Sequence, residues 1–116
     1  MLDLNKDISI ILSPVGRVEL EFPGAEATFP VITLSEIDNG ADYVVEGVEY
    51  TSDITFQVDV WDKASTREGC ETLAKQVDTL MTAAGFRRVT SRGFKEPSGL
   101  QRKMLRYRIK VFNQEG

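Results

Sequence analysis

The sequence predicts an α+β domain: a mostly antiparallel sheet, open to a mixed arrangement, of about five or six strands, with one long helix and a short N-terminal helix packed on one face. Three observations carry this. From Thr51 to Gly85 an alternating strand runs through a short polar turn into a capped helix. Ile54, Phe56, Val58 and Val60 share one face of the strand, while Thr55, Gln57 and Asp59 share the other, a period of two that marks a half-buried strand. Trp61 closes it on the polar parity. In the helix Cys70, Leu73, Val77, Leu80, Met81 and Ala84 recur every three or four residues, leaving Arg67, Glu71, Lys75 and Asp78 to solvent. Finally, Arg102 to Phe112 alternates again, Leu105, Tyr107, Ile109 and Val111 against Arg102, Met104, Arg106, Arg108 and Lys110.

In chain order, Leu2 to Leu12 reads as a short amphipathic helix with Leu4, Ile8, Ile11 and Leu12 on one side, stopped by Pro14 and Gly16. Strand is the competing reading for Ile8 to Leu12. Val18 to Phe22 alternates as a half-exposed strand and stops at Pro23-Gly24. Phe29 to Leu34 is a further strand, expected to pair with one around Asp42 to Val48 through a hairpin at Asn39-Gly40, a dipeptide that readily supplies positive φ. Gly47 to Asp53 reads as a polar link. Ser65 with Glu68 has the spacing of a capping box, and Gly85 sits where a left-handed C-terminal residue belongs, which brackets the long helix as about Thr66 to Ala84. Phe86 to Arg92 then reads as a strand, and Gly93 to Gly99, with Pro97, as a loop.

The length of 116 residues fits one domain able to bury a core without disulfides or metals. The single cysteine lies on the apolar helix stripe and reads as a small buried hydrophobe. The amino terminus has only Ile8 to Leu12 as an apolar run, too short for a membrane span and wrongly flanked for a signal peptide, so a soluble intracellular product is expected. Charge is strongly polarised. Through Asp62 there are thirteen acids against two bases; from Lys63 onward, twelve bases against five acids. Such polarity fits pairing across a sheet, a basic surface for nucleic acid, or two complementary surfaces that dock copies head to tail.

The absence of histidine excludes a Ser-His-Asp triad, a Cys-His pair and most zinc sites. Asp53 and Asp62 stand at opposite ends of a strand about 30 Å long and cannot share an ion. Glu19 and Glu21 read as a solvated strand face, and no glycine-rich phosphate loop is present. No enzyme activity and no cofactor are expected. The surface that asks for a role is the basic row of the last strand, Arg102, Arg106, Arg108 and Lys110, with Arg87, Arg88 and Arg92 on the neighbouring strand. Asp59 and Trp61 lie on the same sheet face. Together these residues form the candidate oligomer or partner interface, to be weighed against plain cross-strand pairing and against nucleic acid. Nucleic acid is disfavoured because no exposed aromatics interleave the arginines for base stacking.

The segment from Ala41, with the strand FQVDVWDK, the helix core LAKQVDTLM, the step GFRR and the basic closing strand with RYR, resembles the small tail-completion and tail-terminator proteins of long-tailed bacteriophages and prophages, which join head and tail at the neck. The resemblance spans roughly Ala41 to Phe112. An additional strand-like segment, VELEFPGAEATFPVITL, precedes it. The resemblance implies a structural virion protein in one domain over residues 1–116, assembling as a ring, commonly a hexamer. Its implied partners are further copies of itself, the tail-tube protein and the head-connector protein, with no membrane. It implies a location in the host cytoplasm during assembly and then in the virion tail or neck. The alternative from a different class is a small nucleic-acid-binding or regulatory domain using the same arginines.

Overall fold

The computed structural model describes residues 4–16, 18–20, 30–45, 47–63, 68–96 and 99–112, with 4, 5, 20, 38–45, 48–50, 68 and 112 described as backbone. The elements are α1 (Leu4–Leu12), β1 (Val18–Leu20), β2 (Val31–Val45), β3 (Val48–Asp62), α2 (Glu68–Ala83), β4 (Arg87–Lys95) and β5 (Gln101–Phe112). The five strands form one sheet in the order β1-β2-β3-β5-β4. β1 runs parallel to β2, and every other pairing is antiparallel. The fold is therefore α+β with a mixed, mostly antiparallel sheet, as expected.

The largest departure from the sequence reading lies in the first hairpin. Asn39-Gly40 makes no turn: both residues lie inside β2 and pair with Ile54 and Asp53 of β3. The strand expected at Asp42 to Val48 is the far end of β2 and the beginning of β3, and the supposed link Gly47 to Asp53 belongs largely to β3. Val45 pairs instead with Val48, and Gly47 just before Val48 takes a φ of 79°. That left-handed conformation is open to glycine without a Cβ clash. Between them β2 and β3 build a hairpin of two 15-residue arms, interrupted by irregularities at Glu36/Asp38, Ala41/Tyr43 and Tyr43/Val44. This hairpin is longer than the strands that flank it, and the molecule measures 54 × 26 × 24 Å.

A second correction concerns Gly93. The expected loop begins later, since Gly93, Phe94 and Lys95 complete β4 opposite Lys103, Arg102 and Gln101. The chain turns instead between Glu96 and Leu100, where the Glu96 amide donates to the Leu100 carbonyl at 2.8 Å and the Gly99 amide to the Glu96 carbonyl at 2.9 Å. The capping box at Ser65 lies outside the described residues, as do Leu2, Phe22, Phe29, Thr66 and Arg67 at the ends of expected elements.

Both helices contribute to a single core on one side of the sheet. Ile8 and Leu12 of α1, with Cys70, Ala74, Val77 and Met81 of α2, cluster with Ile32, Leu34, Ile54, Phe56, Val58, Val60, Leu105 and Tyr107. Ala84, expected on the apolar stripe, is exposed, and Ala74 takes a buried place instead. The C-terminal end of α2 closes as a Schellman motif: the Phe86 amide donates to the Met81 carbonyl at 3.0 Å and the Gly85 amide to the Thr82 carbonyl at 3.0 Å. Gly85 adopts a φ of 98°, and Phe86 and Met81 are both buried beside it. Gly85→Ala is expected to lower stability by about 1 kcal/mol, because an added Cβ is strained at positive φ. Urea denaturation would read this as a lower midpoint with unchanged slope.

Candidate functional site

The sheet face turned away from the helices is built from alternate residues of four strands. The register aligns Val31, Trp61 and Arg102 in one transverse row, Thr33, Asp59 and Met104 in the next, and Ser35, Gln57 and Arg106 beyond. On β4, Phe94 lies opposite Arg102, Arg92 opposite Met104, Thr90 opposite Arg106, and Arg87 opposite Arg108. All six candidate residues, Trp61, Asp59, Arg102, Arg106, Arg108 and Lys110, therefore share one face. They separate into a buried cluster and an open row.

The buried cluster is centred on Arg102. Its Nη1 donates to Asp59 Oδ1 at 3.2 Å and its Nε to Glu96 Oε1 at 2.6 Å, so one guanidinium bridges two carboxylates. The same guanidinium lies 4.3 Å from the centre of the Phe94 ring and 5.2 Å from that of Trp61, within cation–π range of both. Trp61 Nε1 donates to Thr33 Oγ1 at 2.8 Å, which satisfies the indole where it is buried. Asp59 is 3% exposed. Burial pushes its carboxyl above the ordinary range, while the Gln57 amide and the charges of Arg102 and Arg106 act in the opposite sense. Gln57 links the cluster to the open row: its Nε2 donates to Asp59 Oδ2 at 2.8 Å, and its Oε1 accepts from Arg106 Nε at 3.0 Å.

Along the open row Arg106 is half-buried, while Arg108 and Lys110 are exposed. Arg108 Nε stands 3.6 Å from Asp53 Oδ2, and in the ladder Asp53 is opposite Lys110. Arg87 and Arg92 of β4 extend the positive strip and are also exposed. Arg87 lies directly across from Arg108, a like-charge cross-strand pair that is unfavourable in the isolated sheet. A face carrying such a pair gains from an acidic partner. The helix side holds its own ion pairs, Lys103 with Glu71 at 3.1 Å and Arg88 with Asp78 at 3.2 Å. Tyr107 also donates its hydroxyl to Asp78 at 2.9 Å, and burial together with that carboxylate pushes the phenol's ionisation upward, so it remains a neutral donor.

Sequence reasoning did not place Phe94 or Glu96 in this cluster. Gly93 and Pro97 signalled a loop, although Phe94 keeps the period-two parity of Arg92. Cys70 is buried as expected, and its thiol donates to the Gln101 carbonyl at 3.4 Å. Among the described residues no group of three or more Asp, Glu or Cys could hold a metal ion, and no helix is long and apolar enough to cross a membrane. Comparison with curated proteins returns no match. The family model for the tail completion protein gp17 matches residues 6–111, a span reaching from α1 into β5, and the chain belongs to that family.

Proposed function

We propose that this protein caps the phage tail tube and joins tail to head by assembling into a ring, and that the helix-free sheet face is its docking surface. Family membership itself gives a structural role in the phage tail, with tail components as partners and the virion tail as location. Ring assembly, the capping step, the head-connector protein as partner and assembly in the host cytoplasm are parts of the proposal. The observation that carries the choice of surface is the positive strip of Arg106, Arg108, Lys110, Arg87 and Arg92, with like charges opposed at Arg87 and Arg108. Beside it on the same face, Arg102 and Asp59 hold Gln57, which in turn fixes Arg106. An acidic surface on a tail or connector subunit is the complement such a strip favours, steering encounter and fixing register.

Arg106→Glu combined with Arg108→Glu tests this, because both side chains reach solvent and the fold should survive. The expected result in a phage carrying the variant is separate heads and tails by electron microscopy, with the purified protein unchanged in circular dichroism. A normal yield of joined virions would sink the docking surface. The same arginines support a second reading, phosphate binding to nucleic acid. That reading requires affinity for duplex or single-stranded DNA that falls steeply with salt. Its geometry is less favourable, since the aromatics of this face, Trp61 and Phe94, lie against Arg102 rather than standing free to stack bases.

A further inference from the structure

Among the described residues the sheet has two borders of opposite charge with no strand beside them. β4 pairs with β5 on one side, and no strand flanks its other side among the described residues. On the opposite border β1 pairs with β2 only at Ile32, Thr33 and Leu34, so from Ser35 onward the outer edge of β2 has no strand beside it among the described residues. Residues 35–50 carry Glu36, Asp38, Asp42, Glu46 and Glu49 and no lysine or arginine, whereas β4 carries Arg87, Arg88, Arg92 and Lys95 and no acid.

Two exposed apolar residues mark the same edges. Ile37 is 46% exposed and is the residue skipped at the Glu36/Asp38 irregularity of β2; Val89 is 51% exposed and is skipped at the Arg88/Thr90 irregularity of β4. They also lie at nearly the same height in the sheet. Glu36 is opposite Phe56, Phe56 opposite Tyr107, and Tyr107 opposite Arg88, so Ile37 and Val89 each follow a member of one transverse row. Resting on the ring reading given above, we infer that the subunit contact of that ring is an edge-to-edge strand pairing: Ser35–Asp38 of one copy against Arg87–Thr90 of the next.

Strand direction agrees with this contact. Within one copy β2 and β4 run antiparallel, because three successive antiparallel pairings separate them. Rotation about an axis along the strands preserves each direction, so β4 of one copy meets β2 of the next antiparallel. The two surfaces differ, which makes the contact heterologous and able to close into a ring. The acidic edge of β2 then meets the basic edge of β4, with exposed Glu36 and Arg87 among the charges brought together, and Ile37 and Val89 lose their exposure together. The bulges make both edges poor templates for an unrelated strand, which restricts pairing to the matched partner.

A charge-swap pair tests the contact. One variant carries Glu36→Arg and Asp38→Arg, the other Arg87→Glu and Arg88→Glu, with circular dichroism confirming the fold of each. Assembly is read by sedimentation velocity and by counting copies on purified tails. Each variant alone is expected to assemble at least tenfold more weakly than the parent, and an equimolar mixture to regain parental assembly, since each swapped edge then meets its opposite. If both variants alone assemble like the parent, this contact is overturned while ring assembly stands. If the mixture gains nothing over two weakened variants, the pairing of these particular edges is likewise overturned. A parent that remains monomeric at millimolar concentration and sits on tails as a single copy overturns the ring reading as well.

Discussion

Phe56→Ala is expected to destabilise the fold by about 3–5 kcal/mol, the range for emptying an aromatic site in a close-packed core. Phe56 is 1% exposed, sits in the middle of β3 between β2 and β5, and packs edge-on against Phe86 with ring centres 6.3 Å apart and an interplanar angle of 77°. The truncation removes buried apolar surface and leaves a cavity that the paired strands on either side cannot close. Phe86 also loses its ring partner, and Phe86 completes the C-terminal closure of α2. The loss therefore spreads from the sheet to the long helix. Against a total stability of roughly 5–15 kcal/mol for a domain, it is a large fraction. The measurement is thermal or urea unfolding of the parent, Phe56→Ala and Phe56→Leu. The leucine variant should fall by less than the alanine one, because much of the volume is retained. Equal losses for the two would sink the cavity account.

Arg102→Ala is expected to be the second most damaging single change, at about 2–4 kcal/mol near neutral pH, since it strips a buried carboxylate of its cation. Asp59 would retain the Gln57 amide but lose the guanidinium, Glu96 would lose its partner, and the Phe94 and Trp61 rings would lose the group that lies over both. The pH dependence distinguishes this from simple loss of packing. Burial already holds the Asp59 carboxyl above its ordinary value of 3.8, and removing Arg102 takes away an opposing charge and raises it further. A carboxyl whose folded pKa exceeds its unfolded one binds more protons in the folded state, so stability falls as pH rises between the two values. The interval is wider in the variant than in the parent. The deficit of Arg102→Ala should therefore be largest at neutral pH and should shrink as the pH falls toward the ordinary carboxyl value of 3.8, because Asp59 in the fold takes up its proton before that point is reached. A deficit equal at both pH values would assign the effect to packing against Trp61 and Phe94 instead.

Legibility in the sequence followed how strictly each element obeys its period. β3 from Ile54 onward, α2 and β5 carry apolar alternation or spacing because one face of each lies against the core, and their parity placed Trp61, Asp59 and the β5 arginines on a single face. The outer half of β2 gave no such signal. Ser35 to Asp42 is mostly polar in sequence, and it is extended through its backbone pairing to β3. Asn39-Gly40 consequently looked like a turn, although the ladder carries the chain straight through it. Phe94 and Glu96 were obscured differently. Gly93 has a local composition that signals a loop, yet β5 supplies a partner strand that pairs through it. The cluster around Arg102 depends on contacts across 6, 28 and 43 positions, and no local window contains them.

The insertion of β5 between β3 and β4 also bears on the order in which the chain can fold. The long hairpin brings Val45 against Val48, three positions on, and needs little loop entropy, whereas β3 must wait for a strand whose Arg102 lies 43 positions beyond Asp59. Until β5 arrives, the edge of β3 stands open along the ITFQVDVW run, a segment rich in β-formers that could pair with any neighbouring nascent chain. Gln57 and Asp59 interrupt that run with polar side chains. In the finished protein they hold the arginines; in the unfinished one they act as gatekeepers against self-association.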